Sequence, residues 1–145
     1  MKVKIKKLDN RAKIPTYGTD FSAGADLYMM DGESVTVEPH ATVMVHTGLA
    51  VEIPVGYAGL VFARSGLAIK HGLTLSNCVG VIDSDYTGEI QVGLINQGDA
   101  PYTIEPNERI AQLVIMPVFT PDFVVTDTLE ETERGAGGFG STGRA

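Results

Sequence analysis

The sequence predicts an all-β domain, a sandwich or barrel built from many short strands. Apolar or alternating runs recur along most of the chain, at 3–5, 34–37, 42–45, 49–53, 58–62, 73–75, 89–95, 103–104 and 112–118. Turn-forming residues separate them, among them Asp31-Gly32, Glu38-Pro39, Gly56, Gly88, Pro101 and Asn107. Only residues 65–71 suit a helix, a short one with Ser65 as its expected N-cap.

Taken in order, the first run places Lys2, Lys4 and Lys6 on one face of a strand and Val3 and Ile5 on the other. A lysine-lined face reads as a solvated edge that discourages strand-to-strand aggregation. In the run at 112–118, Gln112 stands among apolar neighbours and needs a partner if buried. Two prolines, Pro117 and Pro121, mark where the core ends. The expected organisation is therefore a β-core over 1–121, followed over 122–145 by an acidic linker and a glycine-rich arm.

Composition narrows the function. At 145 residues the chain is one domain with room for a real core. No apolar run approaches the roughly 20 residues that span a bilayer, and MKVKIKK lacks the pattern of a signal peptide. An intracellular, cytoplasmic setting with no membrane partner is expected. The single cysteine, Cys78, fits a reducing compartment and is expected as a small buried packing residue. The three histidines, His40, His46 and His71, lack metal-ligand spacing and are expected at surface or packing positions. A net charge of −7 argues against wrapping nucleic acid. Six of the eleven cations lie in the first thirteen residues, while Arg64, Arg109 and Arg134 fall inside polar motifs. An acidic chain that places scarce arginines there is set to neutralise an anion.

Five polar segments interrupt the apolar rhythm. The first, AGADLY at 23–28, is a small-residue turn that delivers one carboxylate, Asp26, which could equally cap the turn. The second, ARSGLA at 63–68, gathers the Arg64 guanidinium, the Ser65 hydroxyl and the Gly66 amide at a helix start, a seat for phosphate; helix capping accounts for Ser65 alone. The third runs from Asn77 through GVIDSDYTGE at 80–89. A hairpin there exposes backbone donors and acceptors for a pyrimidine edge, and Asp83 follows Val81-Ile82 as a general-base candidate. A tight turn at 85–88 is the plainer account, but it says nothing about Tyr86. The fourth, ERIAQL at 108–113, alternates Arg109 and Ala111 against Ile110 and Gln112. The fifth is Arg134 with GAGGFGSTGRA, five glycines in eleven residues around Phe139, Gly140, Ser141 and Thr142. Glycine lets amides approach a phosphate, although a disordered tail shows the same composition.

In this order and over nearly the whole chain, the five segments resemble the five motifs of the trimeric dUTPases. That resemblance overturns the disordered-tail reading of the arm. It implies a jelly-roll type β-barrel with one short helix and an extended C-terminal arm. It further implies a homotrimer with shared active sites, in which the arm closes over a neighbour's site. The reaction implied is Mg²⁺-dependent hydrolysis of dUTP to dUMP and pyrophosphate, by attack of water on the α-phosphorus. Such an enzyme removes dUTP from the nucleotide pool and supplies dUMP for dTMP synthesis. By position, Asp83 resembles the base. Asn77 with the backbone of Gly80, Val81 and Ile82 would read uracil, and Tyr86 would pack on deoxyribose and leave no room for a 2′-hydroxyl. Arg64, Ser65, Gly66, Gln112, Arg134, Ser141 and Thr142 would hold phosphates, while Phe139, followed by Gly140, would stack on the base. Asp26 resembles the carboxylate that supports the metal's water shell, and Arg109 is expected to pair with a carboxylate.

Two positions depart from the family pattern. Ala63 stands where motif two commonly has Pro, and Asn107 where motif four often opens with Gly; Asn tolerates the left-handed backbone such a turn needs. Two rivals share the barrel or the pocket: a dCTP deaminase, and a nucleotide sensor without turnover. The complete arm and the intact Asp83 favour the hydrolase.

Overall fold

The computed structural model describes residues 1–30 and 32–138. Among them the strands are β1 (Lys4–Lys7), β2 (Thr16–Tyr17), β3 (Ala25–Tyr28), β4 (Val35–Val37), β5 (Thr42–His46), β6 (Leu49–Glu52) and β7 (Tyr57–Ala63). A seven-residue helix, α1 (Ser65–His71), follows. The chain continues through β8 (Leu73–Leu75), β9 (Val79–Ile82), β10 (Gln91–Asn96), β11 (Tyr102–Ile104) and β12 (Arg109–Pro117). The largest sheet has the order β2-β3-β12-β7-β9, and a second has the order β5-β10-β8. Two-stranded pairs, β1-β6 and β11-β4, complete an all-β fold of jelly-roll type with one short helix. All of these strand pairs are antiparallel, most of them between strands far apart in the chain.

The core lies between the sheets. Leu27 from β3, Val61 from β7 and Ile110 from β12 meet Val45 from β5, Leu75 from β8 and Leu94 from β10 in one buried cluster. Leu27, Leu49, Ile53, Leu73, Leu94, Ile104 and Ile110 are almost wholly buried. Each such side chain contributes roughly 1.5–3 kcal/mol by leaving water. Asn96, also fully buried, holds the β10–β11 corner by donating to the carbonyls of Val37 and Ala100 and accepting from the Gly98 amide.

β12 is the organising strand. It pairs with β3 through Gln112 opposite Asp26, and with β7 through Ala111 opposite Ala63. Segments far apart in sequence, around 26, 63 and 112, are thereby set side by side. A one-residue slip would turn all their side chains to the other face.

Several local expectations change. The segment 25–28 is a strand buried along its whole length, not a turn, because Asp26 finds ionic partners inside. β9 pairs with β7, while β10 belongs to the other sheet, so the third polar segment crosses between sheets instead of closing a hairpin. The helix is capped at position Arg64 (φ −89°, ψ 126°) with no side-chain cap bond, so Ser65 is its first residue and not its cap. Strict alternation fails at 109–112, where a register shift between Arg109 and Ala111 leaves Ile110 and Ala111 both buried. Cys78 is exposed with φ 64°, because the turn after β8 carries it away from the core. Asn107, at φ 62°, occupies the left-handed region that its turn requires.

Leu27 sits next to Asp26 and at the centre of the core. Leu27→Ala is expected to cost about 2–5 kcal/mol in urea denaturation, as for other core truncations. A loss below about 1 kcal/mol would place Leu27 outside the cooperative core.

Candidate active site in two clefts

The expected site residues on the described part of the chain fall mainly into two clefts that share no lining residue. The first, of about 340 Å³, is lined by Asn77, Gly80, Val81, Ile82, Asp83 and Tyr86. Its apolar floor comes from Val61, Leu75 and Val92. β9 forms the outer edge of its sheet, so backbone donors and acceptors on its open side are available to a planar ligand. Asp83 is exposed immediately after buried Ile82, and the chain turns there, with the Tyr86 amide donating to the Asp83 carbonyl at 3.2 Å. The Tyr86 hydroxyl donates to the Glu89 carbonyl at 2.8 Å. Its ring is pressed on Gly88, where an added Cβ would come within 2.6 Å of the phenol oxygen.

The second cleft, of about 330 Å³, joins the first, second and fourth polar segments: Asp26, Arg64, Ser65, Gly66, Arg109 and Gln112, with Ser22 and Gly24 beside them. Its centre is ionic. Arg64 Nε donates to Asp26 Oδ1 at 2.9 Å, and Arg109 Nη1 to Asp26 Oδ2 at 3.3 Å. Two guanidinium groups around one largely buried carboxylate leave a net positive charge facing the cleft, which suits an anion. Gln112 Nε2 donates to the Ala63 carbonyl at 3.0 Å, so the partly buried amide has a partner within the sheet. Gly24 lies against the same side chain: a Cβ there would be 2.6 Å from Gln112 Oε1 and 3.1 Å from its Cβ. A third cleft, of about 390 Å³ around His71 and Tyr102, contains none of the expected residues.

Arg134 lies in neither cleft. It is exposed and its Nε donates to the carbonyl of Gly137 at 2.8 Å, inside the arm's own turn. Phe139, Gly140, Ser141 and Thr142 lie outside the described residues. Among the described residues no group of three or more His, Cys, Asp or Glu is placed to hold a metal ion. Asp26, with both oxygens paired to arginines, does not suit a bare dication; it would meet Mg²⁺ only through the ion's waters and with an anionic polyphosphate beside it to offset the arginines. No helix of the described residues is long and apolar enough to cross a membrane.

Glu89 and His46 are functional candidates that the sequence did not single out. Glu89 lines the first cleft; its Oε1 accepts from the Gly48 amide at 2.8 Å and its Oε2 from His46 Nδ1 at 2.9 Å. Burial raises its pKa, but the bonds from His46, Gly48 and Gln91 outweigh that and hold it below the ordinary value of 4.5. No local signal links residues 43 positions apart in the chain.

Comparison with known proteins finds similarity along nearly the whole chain. Residues 10–143 match the family model described as dUTPase. The deoxyuridine 5'-triphosphate nucleotidohydrolase of Desulfitobacterium hafniense is 52% identical over 99% of this chain and 97% of that protein. The corresponding enzyme of Bordetella avium is 51% identical over 99% and 98%. A variant of the Staphylococcus bacteriophage 80alpha dUTPase, solved with dUpNHpp, superposes with TM-score 0.91 at 31% identity, covering 99% of each chain. A dUTPase variant from S. aureus phage phi11, solved for its structural Mg(II) ion, gives TM-score 0.82 at 26% identity, over 90% of this chain and 100% of that one.

Glu89 yields a pH prediction. A carboxyl whose folded pKa is depressed stabilises the fold above its unfolded pKa, and that stability is lost as pH falls through the folded value. Glu89→Gln is therefore expected to destabilise at neutral pH by up to about 1 kcal/mol, its partner being half exposed. The difference from the parent should shrink as pH drops below 4.5. Thermal unfolding across pH 3–7 (roughly the carboxylate range) checks this; a constant difference contradicts it.

Proposed function

The chain belongs to the dUTPase family, and from that premise we propose how its two clefts act on dUTP. It is a dUTP nucleotidohydrolase by relationship to enzymes of that name over its full length. The observation that carries the proposal is the division of chemistry between the clefts. One offers a strand edge, an apolar floor and a free carboxylate; the other offers two arginines around Asp26. The first suits a base and sugar, the second a chain of phosphates.

In this reading Asn77 and the backbone of Gly80, Val81 and Ile82 meet the donors and acceptors of uracil. Cytosine would leave buried polar groups unpaired, which discriminates more strongly than shape alone. Tyr86, held on Gly88, packs against deoxyribose where a 2′-hydroxyl would collide. Asp83 takes a proton from water as the water oxygen bonds to the α-phosphorus. The bond from that phosphorus to the bridging oxygen then breaks, and pyrophosphate leaves with the electron pair. Arg64, Ser65, Gly66 and Gln112 hold the phosphates, joined by Arg134, Ser141 and Thr142 of an arm that also brings Phe139 and Gly140 over the base. Closure of the arm excludes bulk water and aligns the phosphates. Asp26 would hold a hydrated Mg²⁺ through its waters; when bound, the ion supplies positive charge against the phosphate oxygens.

The two clefts share no lining residue, and in this reading each is one half of a site completed by another copy, in the homotrimer that the family resemblance implies. Exposed apolar side chains support association. Phe119, Phe123, Val125 and Leu129 are all at least 87% exposed on the segment that follows β12. Runs of exposed large apolar groups mark interaction surfaces. The biological consequence is removal of dUTP and supply of dUMP for dTMP synthesis.

The reading is tested by pyrophosphate release from dUTP, dCTP, dTTP and UTP with and without Mg²⁺, by the parent and by Asp83→Asn. The parent should cleave dUTP selectively and in the presence of the metal. Asp83→Asn should lose about 10²–10⁴-fold in kcat with dUTP binding nearly kept, since the amide preserves shape but accepts no proton. Ammonia release from dCTP, or a variant as fast as the parent, contradicts the assignment.

A further inference from the structure

We propose that His46 and Glu89 form a latch that fixes Asp83 and Tyr86 in position and thereby sets discrimination between deoxyribose and ribose. The inference rests on the reading above, in which Tyr86 meets the sugar.

Residues 83–89 connect β9 in one sheet to β10 in the other, and no strand pairing holds them. Their geometry depends on their two ends. At the start, the Tyr86 amide bonds the Asp83 carbonyl. At the end, the Tyr86 hydroxyl bonds the Glu89 carbonyl and its ring rests on Gly88. The position of Tyr86 is thereby tied to that of Glu89.

Glu89 is gripped by the turn between β5 and β6. His46 Nδ1 and the Gly48 amide donate to its two carboxylate oxygens, and Gln91 Nε2 adds a weaker bond at 3.2 Å. The next residue is held by the same turn: Thr47 Oγ1 donates to the Ile90 carbonyl at 2.6 Å, and the Ile90 amide donates to the Leu49 carbonyl at 2.7 Å. The turn is closely packed: at Gly48, φ 68°, a Cβ would meet Met30 Sδ at 2.8 Å and Ala12 at 2.9 Å. The turn thus reaches the Tyr86 ring through the Glu89 carboxylate, beside the backbone anchors at Ile90. His46 lines neither of the two clefts, so it acts only through Glu89 and is a positioning residue.

The test compares the full-length parent with His46→Ala and His46→Asn. An asparagine amide nitrogen can stand near the place of Nδ1 and donate to Glu89. His46→Ala should lower the ratio of kcat/KM for dUTP to that for UTP by about tenfold, the worth of one charge-assisted hydrogen bond. His46→Asn should recover most of the ratio. Hydrogen exchange of amides in 83–89, measured without nucleotide, should quicken in His46→Ala and not in His46→Asn. Equal losses on both substrates, or an unchanged ratio with unchanged exchange, overturn the latch. A parent that fails to prefer dUTP overturns the functional reading instead, while the exchange result still judges the latch.

Discussion

The register of β12 between β3 and β7 is the constraint on which the cleft around Asp26 depends. Hydrogen bonding on both edges fixes Gln112 opposite Asp26 on one side and Phe62 on the other. That pairing, not local sequence, puts Arg64 at the end of β7 within reach of Asp26. The bulge after Arg109 then turns that guanidinium toward the same carboxylate while Ile110 and Ala111 stay in the core. Bulges commonly re-aim a side chain next to a functional site.

Electrostatics follow from this geometry. A carboxylate shielded from water is costly unless paired, and Asp26 is paired twice. The two arginines are in turn kept from swinging freely into solvent, so their charge is oriented before any anion arrives. This matters in a chain of net charge −7, whose overall field repels a polyphosphate. Gly24 and Gln112 are packed closely in the same cleft, with the amide oxygen lying where a Cβ at Gly24 would stand. On the other cleft, Gly88 plays that part for the Tyr86 ring.

Much of this was legible in the chain. Alternating runs such as 42–45 and 58–62 gave strands because hydrophobic period reports which side chains face a core. Asp83, Tyr86, Arg64 and Asn77 could be singled out because each breaks an apolar rhythm with chemistry. Residues 25–28 could not be read as a strand, since a buried aspartate looks like a turn residue until its two arginines, 38 and 83 positions away, are known. Cys78 failed for a similar reason, because backbone at positive φ carried a small apolar residue outward. His46 and Glu89 gave no signal either; their pairing is created by the approach of the β5–β6 turn to the strand crossing, which is tertiary information. That β9 and β10 part into different sheets was likewise invisible, because each looks like a strand of one hairpin.

The central claim is that base-and-sugar chemistry and phosphate chemistry occupy separate clefts of one chain and meet only between copies. It is tested most directly by mixing two inactive proteins, Asp83→Asn and Arg64→Ala, after dissociating and reassembling them together. A site drawing Asp83 from one copy and Arg64 from another should reappear, restoring about a quarter of parental dUTP hydrolysis if copies combine at random. Activity no greater than that of the two variants assembled apart would put both residues in a single-chain site and contradict the account.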